Sequence, residues 1–225
     1  MNGINILLVD DEENIRNLLA AYLKKDGFNV LHSGNGMEAL KVMEKESVQL
    51  VILDIMMPVL DGFETLKVIS SKWNVPVIML SAKDEDEDKL LALGFGADNY
   101  ETKPFSPKVL VAKIKALIKR TYENYREVSS GITIGELHLD EEGHRVTVSG
   151  EDINLSPTEF SLLIYFIQNK NIVLTREQIL TKIWGYDFEG DIRVVDTSIK
   201  RLREKLKEMN KVIVTVRGFG YKIEV

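Results

Sequence analysis

Residues 48–62 read VQLVILDIMMPVLDG. The first part, Val48 to Leu53, is a nearly uninterrupted apolar run rich in Val, Ile and Leu, the pattern of a central parallel strand buried on both faces. The run ends at Asp54. In open α/β sheets the carboxyl ends of the strands border the ligand crevice, so a carboxylate there is a candidate acceptor for chemistry. Pro58 and Asp61-Gly62 then turn the chain outward.

Working outward, Ile4 to Val9 has the same strand pattern and also ends in acid, Asp10, Asp11, Glu12 and Glu13. Ile15, Leu18, Leu19, Tyr22 and Leu23 follow helical spacing until Gly27 closes that helix. Strands at Phe28 to Leu31, Val75 to Leu80 and Asn99 to Glu101 alternate with helices at Gly36 to Glu44, Phe63 to Ser71, Asp86 to Leu93 and Pro107 to Lys119. Strict β–α alternation predicts a doubly wound parallel sheet.

Length and composition limit what this unit belongs to. A chain of 225 residues fits two domains, each able to bury a core. With no cysteine, disulfides, thiolate metal sites and cysteine nucleophiles are excluded. No apolar run has the length of a membrane span, and the amino terminus lacks the basic start of a signal peptide, so a cytoplasmic protein is expected. The net charge of −6 gives no hint of nucleic acid, and any basic surface must be local. His32, His138 and His144 have no ligand spacing.

In one common doubly wound order the first and third strands flank the switch point, which brings Asp10, Asp11 and Asp54 to one crevice. Three carboxylates there repel one another unless a cation intervenes, and hard oxygen ligands with open positions suit Mg²⁺. The plainer alternative is that Asp10 to Glu13 favour a helix amino terminus and Asp54 caps a loop. Ser81 ends the fourth strand and Lys103, followed by Pro104, ends the fifth. A metal, a carboxylate, a hydroxyl and an ammonium together suit in-line phosphoryl transfer.

Residues 1–120 resemble a response-regulator receiver domain. The matching motifs are Asp10-Asp11, Asp54-Ile-Met-Met-Pro with Asp61-Gly62, Ser81-Ala82, Tyr100, and Lys103-Pro104-Phe105. The resemblance implies that Asp54 accepts a phosphoryl group from a sensor histidine kinase and slowly loses it. It also implies Mg²⁺ held by Asp11, Asp54 and the Met56 carbonyl, with Asp10 acting mainly through water. Lys103 and Ser81 would grip the phosphoryl oxygens, Ser81 and Tyr100 would form the switch, and the Lys103–Pro104 bond would be cis. In the OmpR/PhoB subfamily the fourth helix, fifth strand and fifth helix pair across a symmetric dimer through charges. Here Gly94, Asn99 and Val109 replace common acids while Lys89, Asp98 and Lys113 remain, which implies a weakened or more apolar homodimer. Asp84 to Asp88 reads as a solvated helix start.

Residues 121–131, TYENYREVSSG from Thr121, read as a linker. Beyond it, alternating runs at Ile132 to Ile134, Leu137 to Leu139, Arg145 to Val148 and Ile153 to Leu155 predict a small antiparallel sheet. Ser156-Pro157-Thr158-Glu159 and Thr175-Arg176-Glu177-Gln178 are capping boxes that open two helices. In a third helix, from Asp191 to about Glu208, Val195, Ile199, Leu202 and Leu206 face a core. Arg193, Thr197, Lys200 and Glu204 lie opposite, with Arg201 beside them and Ser198 and Arg203 on the flanks. On spacing alone this could be an ordinary solvated helix. The two strands that follow, joined by Arg217-Gly218-Phe219-Gly220, make a hairpin with a cation near its tip, and a helix beside such a hairpin suits a major and a minor groove.

Residues 132–225 resemble the winged-helix effector domain of the OmpR/PhoB subfamily, an α+β winged helix-turn-helix, through Arg193 to Arg203 and the motif Thr215-Val-Arg-Gly-Phe-Gly-Tyr221. By position, Arg193, Thr197 and Arg201 would approach bases. Trp184, Ser198, Lys200, Arg203 and Thr215 would contact phosphates, and Arg217 would enter the minor groove. Ser198 stands where relatives often carry His. The loop Gly185 to Gly190 would face RNA polymerase, and the DNA would carry tandem half-sites. The expected function is a phosphorylation-controlled, DNA-binding transcription regulator and not an enzyme. The alternatives are an orphan regulator that ignores phosphate, or an aspartyl phosphohydrolase, for which Met56 stands where an acid would be needed.

Overall fold

Strand β3 (Leu50–Asp54) is buried at every position because it occupies the centre of a parallel sheet covered on both faces. The computed structural model describes residues 3–82, 86–122, 131–141, 143–186, 188 and 190–225, and the side chains of 86–90, 120 and 122 fall outside that description. The chain separates into two compact units, Met1–Tyr122 and Glu123–Val225.

In the first unit β1 (Asn5–Val9), β2 (Asn29–Ser33), β3, β4 (Val77–Ser81) and β5 (Asn99–Thr102) lie in the order β2-β1-β3-β4-β5. Helices α1 (Glu13–Lys25), α2 (Gly36–Lys45), α3 (Gly62–Lys72), α4 (Asp86–Phe95) and α5 (Pro107–Tyr122) link them. Ile6, Leu8, Ile52, Ile78 and Leu80 pack from the sheet against Leu19 and Leu23 of α1 and Leu110, Ile114 and Ile118 of α5. Leu18, expected on the buried stripe of α1, is 48% exposed instead. Ala20 takes a core position, so the apolar stripe is rotated relative to the one read from Leu18.

The loop after Asp54 is tightly folded. Gly62 donates its N–H to the Ile55 carbonyl at 2.9 Å, and a Cβ at Gly62 would lie 2.2 Å from the Asp54 carbonyl oxygen. Only glycine allows so close a return. Asp61 caps α3 by accepting from the Glu64 N–H at 2.9 Å, as Asn35 caps α2 through Glu38 at 3.0 Å.

The second unit has an antiparallel sheet of β6 (Ile132–Ile134), β7 (Leu137–Asp140), β8 (Arg145–Val148) and β9 (Glu151–Ile153). Strand β9 lies earlier than the predicted Ile153 to Leu155. Ser149 and Gly150, both with positive φ, form a two-residue turn that pairs Glu151 directly with Val148. Helices α6 (Pro157–Gln168) and α7 (Arg176–Trp184) both start with complete capping boxes. The third helix, α8 (Arg193–Lys205), is shorter than predicted and gives way to a 3₁₀ turn over Lys207–Val212. A short strand not foreseen, β10 (Leu174–Thr175), pairs with β12 (Gly220–Ile223), which also pairs with β11 (Ile213–Val216). Val195, Ile199, Leu202 and Leu206 are buried as their spacing predicted.

Val59, in the loop between β3 and α3, is 81% exposed with φ of 72°. A β-branched residue in left-handed backbone is strained, by ~1–2 kcal/mol. Val59→Asn, which tolerates this region, is expected to raise unfolding free energy by ~1 kcal/mol in urea titration; an unchanged midpoint would show no strain is stored there.

Candidate functional site

The sheet order brings three carboxylates together because β1 and β3 are direct neighbours and both end in aspartate. Asp10 follows β1, Asp54 closes β3, and Asp11 stands beside Asp10. One oxygen from each of Asp10, Asp11 and Asp54 lies within 4.8 Å of the others. Asp10 and Asp54 are buried and Asp11 is open to solvent. The Asp10 carboxylate is oriented by the Glu12 N–H at 2.9 Å, and the Arg16 guanidinium donates to the Asp10 carbonyl. Arg16 was not singled out from the sequence; its place one helical turn into α1 is the signal that was there to read.

Lys103 enters the crevice from the loop after β5. That loop is tied to β4 by the Lys103 N–H, which donates to the Ser81 carbonyl at 2.6 Å, and the Lys103–Pro104 bond is cis. Lys103 Nζ lies 2.8 Å from Asp10 Oδ2, 2.9 Å from Asp54 Oδ1 and 3.8 Å from Glu12 Oε1. Asp54 Oδ1 is buried, and the Lys103 ammonium is its ion-pair partner. Burial pushes the Asp54 carboxyl up to about 6; Lys103 opposes the shift, while Asp10 and Asp11 add to it. Burial also draws the Lys103 ammonium down, but its bonds to Asp10 and Asp54 outweigh that and hold it above its ordinary value. Ser81, at the end of β4, and Tyr100, on β5, are both buried, and Met56 is exposed. Tyr100 is thus further in than the half-buried ring a strand end usually carries.

On the face of α4, β5 and α5, two of the retained charges, Asp98 and Lys113, are engaged within the unit. Asp98 is buried and accepts the Val77 N–H at 2.8 Å, and Lys113 pairs with Glu101 at 2.7 Å. Leu91 and Val109 are exposed apolar residues on this face. The side chain of Lys89 and residues 84 and 85 of the acidic run lie outside the described residues, as does most of the predicted linker.

In the second unit the open face of α8 carries Arg193, Thr197, Lys200 and Glu204. Arg193 is held by Asp191, whose Oδ2 accepts from Nε at 2.9 Å and Nη2 at 2.7 Å. Arg201 and Ser198 depart from their expected places. Ser198 is buried, and the Arg201 side chain, 17% exposed, turns toward α6, where its Nη2 lies 3.2 Å from Glu159 Oε1. The reason is Glu159, the buried acid of the first capping box, whose charge requires cations and recruits Arg201 and, at 2.6 Å, Lys205. A box legible as a local cap therefore also fixes a residue on another helix.

Arg203 faces the wing formed by β11 and β12. Its Nη2 donates to the Ile213 carbonyl at 2.7 Å and to Thr215 Oγ1 at 2.9 Å. Tyr221 of β12 donates to Asp196 of α8 at 2.6 Å, and Arg176 of α7 donates to the same Asp196 oxygen at 2.7 Å. The Arg176 and Arg203 guanidinium groups lie 5.0 and 5.5 Å from the centre of the Tyr221 ring. Asp196 and Arg176 carried no sequence signal of this role, since they meet only in three dimensions. Trp184 is buried, and its indole N–H has no partner among the described residues. Arg217 and Thr215 are exposed on the wing. In the 185–190 loop Tyr186 is exposed, while Asp187 and Glu189 lie outside the description.

Comparison with known proteins matches residues 6–115 to the response regulator receiver domain and residues 150–223 to the carboxyl-terminal domain of transcriptional regulatory proteins. Transcriptional regulatory protein SrrA of Staphylococcus aureus is 40% identical over 229 residues, covering 98% of this chain and 95% of its own. Among solved structures, a RitR mutant aligns with a TM-score of 0.81 at 28% identity, covering 98% of this chain and 99% of its own. The Thermotoga maritima OmpR/PhoB homologue DrrB aligns over 100% of both chains, with a TM-score of 0.52 and 32% identity.

The raised Asp54 carboxyl has a consequence for stability. The folded chain binds that proton more tightly than the unfolded chain, so stability from this group is complete below pH 3.8 and is lost as pH rises through about 6. Without divalent cations, Asp54→Asn is therefore expected to melt above wild type at pH 8 and level with it near pH 3.8. A variant that melts lower at pH 8 would mean that Lys103 outweighs the burial.

Proposed function

The chain belongs to the response regulators of the OmpR/PhoB type, DNA-binding transcription regulators of two-component systems, and from that membership we propose that phosphorylation of Asp54 controls its DNA binding. The observation that carries this reading is the convergence of Asp10, Asp11, Asp54 and Lys103 at one strand-end crevice. The donor is a phosphohistidine on a sensor histidine kinase. An Asp54 carboxylate oxygen attacks phosphorus, the P–N bond breaks with its electron pair leaving on the imidazole nitrogen, and an acyl phosphate forms. Above pH 6 Asp54 is ionised and competent for that attack.

The residues fit a magnesium ion. Three carboxylates converge, and the buried Asp54 Oδ1, held in an ion pair by Lys103, keeps lone pairs to offer. Asp11, Asp54 and the Met56 carbonyl would hold the ion, with Asp10 acting through water. When bound, Mg²⁺ supplies positive charge against the phosphoryl oxygens. Lys103 then exchanges Asp54 for a phosphoryl oxygen while keeping Asp10, and Ser81 donates to another. Ser81 drawn toward phosphate and the inward ring of Tyr100 bias the two-state element at β4 and β5. Slow hydrolysis of the acyl phosphate resets it.

For the effector unit, Arg193 and Thr197 approach bases, Lys200, Arg203, Thr215 and Trp184 contact phosphates, and Arg217 enters a minor groove. Arg201 reaches a base only by releasing Glu159, and Ser198 reaches a phosphate only if α8 shifts. The Trp184 N–H, buried like Ser198, reaches a phosphate only if its surroundings open.

The protein incubated with acetyl phosphate and magnesium chloride is expected to gain one phosphoryl group by mass spectrometry, to lose that gain in Asp54→Ala or in EDTA, and to protect DNA more strongly when modified. A gain that survives Asp54→Ala overturns the acceptor. Footprints indifferent to the modification point to an orphan regulator.

Because Asp98 and Lys113 are engaged internally and Leu91 and Val109 are exposed, the activated chain pairs with a second copy weakly, through apolar contact. With beryllofluoride, Lys113→Ala is expected to leave the dimerisation constant from sedimentation within about twofold, while Val109→Glu weakens it roughly tenfold or more. A tight dimer abolished by Lys113→Ala would reverse this.

A further inference from the structure

The tip of the wing carries a feature that the assigned contacts do not use. Phe219 is 69% exposed, and it stands two residues from the exposed Arg217 on the loop joining β11 and β12. Single exposed apolar residues are common on protein surfaces, and what sets Phe219 apart is its place beside Arg217 at the tip of the wing.

The tip is held in place with respect to α8. Its turn closes with the Phe219 N–H donating to the Val216 carbonyl at 3.0 Å, and Gly218, with φ of 79°, supplies the left-handed residue the turn needs. Below the tip, Arg203 of α8 binds β11 through Ile213 and Thr215, and Tyr221, two residues after Phe219, is bonded to Asp196 of α8. At Gly220 a Cβ would lie 2.0 Å from the Leu174 carbonyl oxygen, so β12 runs hard against β10 immediately after the ring. Phe219 is therefore an exposed apolar group on a braced support, and its position relative to the face of Arg193, Thr197 and Lys200 is set by the same bonds that set the wing.

We infer that Phe219 is a DNA contact, its ring packing on the deoxyribose edges that wall the minor groove beside Arg217. This rests on the DNA-reading assignment above and extends it. The chemistry suits the place: a minor groove is walled by sugar C–H groups, which an aromatic ring covers without needing a hydrogen-bond partner, while the neighbouring guanidinium takes the negative potential of the floor. The contact is apolar, so it releases no counterions and differs from Arg217 in how it responds to salt.

The test uses the full chain and a duplex selected by that chain from a random library, with affinity measured across a salt series. Phe219→Ala is expected to weaken binding about tenfold with the wild-type salt slope, as loss of a partly buried aromatic contact should. Phe219→Leu should recover most of the affinity, and thermal melting of both should match wild type because the ring is exposed. Arg217→Ala should weaken binding and reduce the slope by about one. If Phe219→Ala binds as wild type while Arg217→Ala is weakened, the inference fails and DNA reading stands. If Arg193→Ala and Arg217→Ala also bind as wild type, the DNA-reading assignment itself fails. A reduced salt slope in Phe219→Ala would equally overturn an apolar contact.

Discussion

The receiver unit depends on one ammonium group among several carboxylates. Parallel pairing of β1 with β3 forces Asp10 and Asp54 together at the strand ends, and burial deprives both of water. Like charges so placed would drive the ends apart or force a proton onto one of them. Lys103 spans the pair, reaching Asp10 at 2.8 Å and Asp54 at 2.9 Å from the far side of the sheet. It can do so because the loop after β5 is tied to β4 at Ser81. The balance is incomplete, since Asp54 still sits well above its ordinary range. A buried acid only partly neutralised is a group that gains from a cation or from conversion to another species.

The effector unit solves a related problem differently. Glu159 is a cap in the local sense and a buried charge in the global one, and the cations it draws from α8 lock that helix against α6. On the opposite flank Asp196 accepts from Tyr221 and Arg176, joining α8 to both β12 and α7. Between these anchors one polar strip of the helix is left uncovered by either anchor, and that strip carries Arg193, Thr197 and Lys200.

Much of this was legible from residue order alone. Alternating apolar runs fixed the parallel sheet, and acids at the ends of two such runs foretold the crevice, because strand adjacency in a doubly wound sheet follows from few rules. Both capping boxes were readable for the same reason, that their bonds are local. Legibility failed where a contact joins distant residues. Nothing near Arg201 in the chain announces Glu159, so helical spacing alone left it on the open face. Leu18 was misplaced because a stripe several residues wide can be rotated without changing its spacing, and only packing against α5 decides between the settings. The two residues of β10 are too few to carry an alternating pattern at all.

That small strand has a mechanical consequence. Leu174 and Thr175 stitch the start of α7 to β12, while Tyr221 stitches β12 to α8, so wing and helix act as two arms of a caliper with a fixed gap. A caliper does not adapt to what it measures. If helix and wing seat on a duplex through the contacts proposed above, a duplex whose local width or twist departs from that gap would have to yield, and sequences that bend easily would be favoured at base pairs no side chain touches.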